Sequence, residues 1–463
     1  MLRRSSVVFI VVLGWTGFFV GATAQAQVDF SRFYAIGDSL TAGFSHGSLD
    51  ELFQQFSYPA LIAQQAGVTD FQQPLVSDPG LPPRLKLLAL VPSPVIQPVS
   101  GQGMPRNLNL PRPYNNLAVP GATLGDVLLT VSRPDNPLFD LILRRIGTQL
   151  QQLIASNPTF VIVWIGNNDL LPAVLTATPI EGLTITPLTV FAQRFQQLVG
   201  GLKAALPNAK VLFLNLPDPT KAPFATTIPA CVFSPTTRRC LTDPQGNRIP
   251  LIGTRGPIPF DSLIILPASA LLAQGYGIPV NLGGNGQPLP DNVVLYPDEI
   301  TAIRSSLDAF NNVISQQVRG AGYELFDFKT LFDQIAREGY NVGGIDLRLD
   351  FLTGGLISLD GLHPTPLGHA VLANEIIRFM NRQMKTDLKP VDLRPFITGE
   401  KGGYPAGQGA VGYSFVFSKE AYEGLLRLLA PEAAAYAVRP ASMESALPPW
   451  IPRHDSPADR RRP

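Results

Sequence analysis

At 463 residues the chain can hold one α/β domain with large insertions or two to three average domains, and its 45% hydrophobic and 15% charged content excludes a disordered protein. Its formal net charge of +1, which becomes −1 if Arg3 and Arg4 leave with a cleaved leader, provides no field to attract nucleic acid or an anionic membrane. The 45 Pro and 41 Gly predict long irregular segments between the regular elements.

The first element in chain order is a leader. Arg3 and Arg4 precede an apolar run from Val7 to about Ala22 that ends in small residues, the three-part pattern of a signal peptide over 1–26 with cleavage after Ala24-Gln25-Ala26. The run contains Gly and Thr and falls short of the ~20 residues of a membrane span. No later segment reads as one, so export to the periplasm, the medium or the cell surface is expected.

Short runs rich in β-branched and aromatic residues at 32–36, 159–165, 210–214 and 323–328 predict buried strands. Helical spacing begins at Leu141, Leu188 and Pro297, ahead of the last three runs, and a further helix begins near Pro366. This alternation predicts an α/β fold, a three-layer α/β/α sandwich with a central parallel sheet. Functional groups should gather at the carboxyl ends of its strands. Two inserts, at about 70–113 and 217–297, interrupt the scheme. Segments that long commonly cover a site, and 217–297 is expected to do so. Residues 386–463 read as a Pro- and Gly-rich appendage, which leaves 27–385 as the main domain. Cys231 and Cys240 are the only cysteines, and in an exported chain their short separation predicts a disulfide, since a metal would need more ligands.

The stretch "GDSLTAGFSHG" after the first strand offers Ser39 and Ser45 as nucleophiles. Ser45 sits in Gly-Phe-Ser-His-Gly, a nucleophile-elbow pattern, but an elbow needs a strand ending at the serine and this strand ends near Gly37. Ser39 follows the strand directly. A serine hydroxyl becomes a useful nucleophile when an imidazole takes its proton and a carboxylate orients that imidazole. In "SLDGLHPTPLGHAVLANEI", Asp360 lies three residues before His363, so one loop can present both side by side. Of the other histidines, His46 reads as exposed or substrate-lining, His369 as a packing residue and His454 as a tail residue, while Asp38 reads as a structural acceptor.

Four blocks, "FYAIGDSLTAGF", "NNLAVPGATLGDV", "VWIGNNDLL" and "LDGLHPTPLGHAVLANEI", occur in that order, and in them the chain resembles the GDSL, or SGNH, hydrolase family over most of 32–384 apart from the two inserts. The resemblance implies a flavodoxin-like fold and an exported esterase or lipase that cleaves carboxylic esters through an acyl-enzyme, with no metal or organic cofactor. It implies Ser39, Asp360 and His363 as the triad. It further implies an oxyanion hole from the backbone amides of Ser39 and Gly121 and the side-chain amide of Asn168. Gly121, without a Cβ, would let substrate approach the backbone, and Asn168 would be a neutral donor at a strand end. The substrate is expected to be a small-molecule or lipid ester, and insert segments such as "FDSLIILPASALLAQGYGIPV" favour a hydrophobic one. The same site could deacetylate a glycan or another cell-envelope ester. A catalytically inactive exported binding protein is the alternative of another class, and the intact Ser39, Asp360 and His363 stand against it.

Overall fold

The computed structural model describes residues 28–88, 94–234, 236–237, 239–401 and 415–437. Its central sheet is built from β1 (Phe33–Gly37), β2 (Phe160–Trp164), β3 (Lys210–Leu214) and β4 (Glu324–Phe326). The four strands lie side by side in chain order and all run parallel, with Phe33 opposite Phe160, Phe160 opposite Lys210 and Leu212 opposite Glu324. Every residue of β1 and β2 is buried, as continuous apolar runs require when helices cover both faces.

A fifth, strand-like edge went unrecognised in the sequence. Ala35 N donates to Asn115 O (2.7 Å), Leu117 N to Ala35 O (2.9 Å) and Val119 N to Gly37 O (3.1 Å), so 115–119 runs along the free side of β1. This places the turn after Val119 beside the end of β1.

The helices that matter for the site are α1 (Ser39–Ala42), α2 (Tyr58–Gln65), α3 (Leu124–Leu129), α4 (Gln149–Ala155) and α5 (Leu188–Ala205). They continue with α6 (Pro297–Ala321), α7 (Phe328–Glu338), α8 (Pro366–Gln383) and α9 (Lys419–Leu429). Aromatic contacts define the layers. Trp164 of β2 meets Tyr58 of α2 and Phe328 of α7 at ring-centroid distances of 5.8 and 4.7 Å, and Phe326 of β4 meets Phe379 of α8 at 5.5 Å. On the opposite face Phe213 of β3 meets Phe195 of α5 at 5.8 Å, and Phe191 stacks on Phe310 at 4.0 Å to join α5 to α6. The result is the expected three-layer α/β/α sandwich.

The helix expected from Leu141 is two pieces, Leu138–Leu143 and α4. Arg144 and Arg145 take φ of 52° and 57°, which ends the first piece. Thr148 starts the second through a reciprocal capping box with Gln151.

The inserts and the C-terminal segment are joined. Val416–Phe417 pairs in parallel with Val95–Pro98, which pairs antiparallel with Leu85–Leu88, so the first insert and the end of the chain share a sheet. Phe417 N also donates to Ser269 Oγ in the second insert (2.8 Å). On α9, Ala421, Leu425 and Leu426 enter the main core, and the Tyr422 hydroxyl donates to Leu175 O (2.8 Å). Cys231 and Cys240 form a disulfide at a short hairpin in which Phe233–Ser234 pairs with Arg239–Cys240. Among the described residues no helix is long and apolar enough to cross a membrane. The expected leader over 1–26 and much of the expected appendage, including His454, lie outside the described residues.

Candidate active site

β1 ends against β2 so closely that a Cβ on Gly37 would sit 2.3 Å from Trp164 O, and only glycine allows the turn that follows. Asp38 then caps α1, its Oδ1 accepting from Leu40 N (3.1 Å) and its Oδ2 from Asn167 Nδ2 (2.8 Å). The expectation that Asp38 is a structural acceptor holds. Burial pushes its carboxyl up to about 6 against those two donors. Ser39 is the first residue of α1, so its hydroxyl stands at the carboxyl edge of the sheet.

The loop before α8 carries the partners. Thr365 caps α8 with Pro366 at its first position, and the loop ahead of it turns Asp360 back onto His363. Asp360 Oδ1 accepts the backbone N–H groups of Leu362 (2.9 Å) and His363 (2.8 Å), while Oδ2 faces His363 Nδ1 (3.0 Å) and accepts from Gly47 N (2.9 Å). Burial alone would raise this carboxyl, but the adjacent imidazole and the backbone donors of His363 and Leu362 outweigh it and hold the group below the usual carboxylate range. A carboxylate that stays ionised fixes the tautomer with the proton on Nδ1, which leaves Nε2 to accept from Ser39 Oγ at 2.8 Å. The ring is braced edge-on by Phe44, with centroids 4.8 Å apart.

Ser45 is not part of this chain of bonds. Its hydroxyl donates to Pro364 O (2.9 Å), which ties the β1 turn to the histidine loop. His46, expected at the surface or against substrate, is instead buried at 3% exposure: its backbone N donates to Ser358 Oγ (2.9 Å), its Nδ1 accepts from Leu359 N (3.3 Å) and its ring packs on Phe53. Burial lowers its pKa to about 4. His369 is the expected packing residue, fully buried against Tyr58.

Gly121 has φ of 81°, and a Cβ there would sit 2.1 Å from Leu428 O. The space that its missing side chain leaves is therefore taken by the end of α9, which corrects the expectation that substrate takes it. Asn168 Nδ2 donates to Ala122 O (2.9 Å), so the Gly121 turn and the turn after β2 are bonded together, and Asn168 Oδ1 is buried with no partner among the described residues. Asp169 completes the link by accepting from Leu124 N (2.8 Å) and from the Thr186 hydroxyl (2.8 Å), and burial pushes it up to about 6.

Ser39 and His363 open into a largely apolar, solvent-connected cleft. Its wall includes Asn167, not the neighbouring Asn168. Asn167, the Gly47 amide and the apolar cleft wall were all missed from sequence. For the wall a signal existed, since Phe328, Leu331, Phe332 and Ile335 repeat at helical spacing within "FKTLFDQIARE".

A serine hydroxyl 2.8 Å from an imidazole that is backed by a buried carboxylate, at the carboxyl edge of a parallel sheet covered on both faces, is an arrangement equipped for acyl transfer and defines a serine hydrolase with an α/β/α fold. The chain belongs to the GDSL-like Lipase/Acylhydrolase family, whose sequence profile matches residues 33–376, and it is a carboxylic ester hydrolase. Similar solved structures include a variant of an acetyl-xylooligosaccharide esterase from Geobacillus stearothermophilus, at 14% identity and TM-score 0.34, with 76% of this chain and 95% of that chain covered. An extracellular lipase from Streptomyces rimosus is similar at 16% identity and TM-score 0.32, covering 73% and 94%. A phospholipase A1 from Streptomyces albidoflavus is similar at 15% identity and TM-score 0.31, covering 76% and 98%. No curated protein matches the chain.

Proposed function

We propose that the protein is an exported serine esterase or lipase in which Ser39 is the nucleophile, His363 the general base and acid, and Asp360 the group that orients the imidazole. The observation that carries this reading is the unbroken path from Ser39 Oγ to His363 Nε2 (2.8 Å) and from His363 Nδ1 to Asp360 Oδ2 (3.0 Å). As Ser39 Oγ attacks the ester carbonyl, its proton passes to Nε2. The imidazolium formed is stabilised by Asp360, and the same proton then goes to the departing alkoxide. Water repeats the sequence on the acyl-enzyme, releasing the acid and restoring Ser39.

The oxyanion donors are the backbone amides of Ser39 and Gly121 and the side-chain amide of Asn168. That amide has two N–H groups, so its bond to Ala122 O uses one and leaves the second for the developing charge. Asn168→Ala is expected to lower turnover by about 10² to 10³ with the Michaelis constant nearly unchanged. An unchanged turnover with a lowered melting temperature would reduce Asn168 to a turn-joining role.

The disulfide fits an exported protein. Cleavage after Ala26 predicts a mature protein that begins at Gln27, which intact mass measurement of exported material checks. The central experiment treats purified mature protein with a serine-directed phosphonate and assays short- and long-chain esters beside acetylated sugars. Labelling at Ser39 and loss of all ester turnover in Ser39→Ala support the nucleophile, whereas retained turnover in Ser39→Ala removes it. Turnover confined to acetylated sugars would favour glycan deacetylation.

A further inference from the structure

We infer that the cleft beside Ser39 is an acyl-chain site, so that the enzyme prefers esters of extended hydrocarbon acids over acetyl esters. The inference rests on Ser39 being the nucleophile. One wall is a single stripe of α7, Phe328, Leu331, Phe332 and Ile335, and facing side chains include Leu349 from the loop before α8 and Val371 from α8 itself. An amphipathic helix usually presses such a stripe flat against the core. Here the stripe also borders open space. The polar side chains of the wall are few: Ser39, Asn167 and His363 belong to the reaction centre or its support, and the Asp218 carboxylate is already engaged by Thr220 N (3.0 Å), the Thr220 hydroxyl (2.6 Å) and Arg304 Nε (3.1 Å). A wall of this kind has little to bond a sugar hydroxyl and much to shelter methylenes.

The shape of the reaction assigns the cleft to the acid half of the ester. The acyl group stays covalently attached to Ser39 through both half-reactions, whereas the alcohol must leave so that water can reach His363. An apolar trough that starts at Ser39 therefore suits the group that remains, and an acetyl group would leave much of its hydrocarbon wall against water.

The test measures kcat/KM for 4-nitrophenyl esters from acetyl to dodecanoyl in monomeric solution, and for alkyl acetates of matching length. The expected result is a rise of up to about fourfold per added acyl methylene until the cleft is filled, with little response to the alkyl alcohol. Leu331→Trp, which narrows the trough, and Leu349→Glu, which places a charge in it, should each lower the dodecanoyl-to-acetyl ratio by about tenfold or more. Gln334→Trp on the exposed side of α7 should leave that ratio unchanged. Melting temperatures of all three variants check folding. A flat or falling acyl-length profile, a rise that follows the alcohol instead, or an unchanged ratio in both folded trough variants would overturn the inference while leaving Ser39 as nucleophile. Full turnover in Ser39→Ala would instead overturn the nucleophile and the acyl assignment together.

Discussion

Ser39 and Ser45 stand near one another at the end of β1 and do different things. Ser39 faces His363 Nε2, and Ser45 donates to the carbonyl of Pro364, the residue after that histidine. Ser45→Ala would leave Pro364 O without this donor. The expected outcome is a loss of about 1 kcal/mol of stability with turnover largely kept, measured by denaturant midpoints and initial rates. Loss of turnover without loss of stability would give Ser45 a direct part in the chemistry. The buried ionisable groups set a second expectation, for acid pH. His46 and His369 are lowered from 6.5 to about 4 and about 3 by burial, so the unfolded chain takes up their protons first. The stability they contribute is complete above pH 6.5 and is lost as pH falls through the window down to those values. Asp38 and Asp169, raised from 3.8 to about 6, act oppositely, because the folded state takes up their protons first as pH falls from 6 toward 3.8. His369 is the cleaner probe, because both of its ring nitrogens are buried without a partner among the described residues. Relative to the unaltered protein, His369→Phe should gain up to about 1.4 kcal/mol per pH unit below pH 6.5, read from urea midpoints at pH 7 and pH 5. A difference that does not vary with pH would mean that His369 keeps its proton affinity on folding.

At the scale of elements, legibility followed how local the signal was. Strands β1 to β3 were readable because burial makes β1, β2 and residues 211–214 of β3 uninterrupted apolar runs, and α6 and α8 because Pro at the first turn marks their starts. The edge at 115–119 was missed because "NNLAV" is short and half polar, and its identity as an edge comes from bonds to Ala35 and Gly37. The break between Arg144 and Thr148 was readable in principle from Gly147 and the Thr148 to Gln151 capping pair, but the apolar spacing continued across it. Asp360 and His363 were legible as a pair because one loop carries both. Their pairing with Ser39 was legible only through the family blocks, since no local pattern brings residue 39 to residue 363. The reason Gly121 must be glycine was out of reach, because Leu428 lies in a segment that composition marked as an appendage. That segment supplies a test. Leu425 of α9 is 2% exposed, and Leu425→Ala should cost about 2–5 kcal/mol and shift a single cooperative unfolding transition. A separate low-temperature transition in calorimetry would show α9 to be an independently docked appendage.

Across the whole molecule, the Ser39, His363 and Asp360 path is also held by parts of the chain that the family blocks do not contain. Phe224 N of the second insert donates to Gly361 O (2.9 Å), next to Asp360, and Leu266 N donates to Phe224 O (2.8 Å). The second insert thus braces the loop that carries the carboxylate. The disulfide lies further along the same insert and closes a loop with a sequence separation of only 9. Reducing it under native conditions should therefore leave turnover nearly unchanged, because closing so short a loop constrains the unfolded chain only modestly. A large loss of turnover on reduction, restored by reoxidation, would place the hairpin in control of the site. The sheet that pairs Val416 with Val95 has a further consequence, for the order in which the molecule is completed. A chain emerging from the ribosome carries Ser39 and Gly121 early and Asp360 and His363 late. The carbonyl of Leu428 that packs on the Gly121 turn arrives last of all. A polypeptide interrupted before residue 415 would contain every group of the Ser39, His363 and Asp360 path and still lack the end of α9 behind the turn. Completion of the Gly121 turn is thereby tied to a segment made after every group of that path.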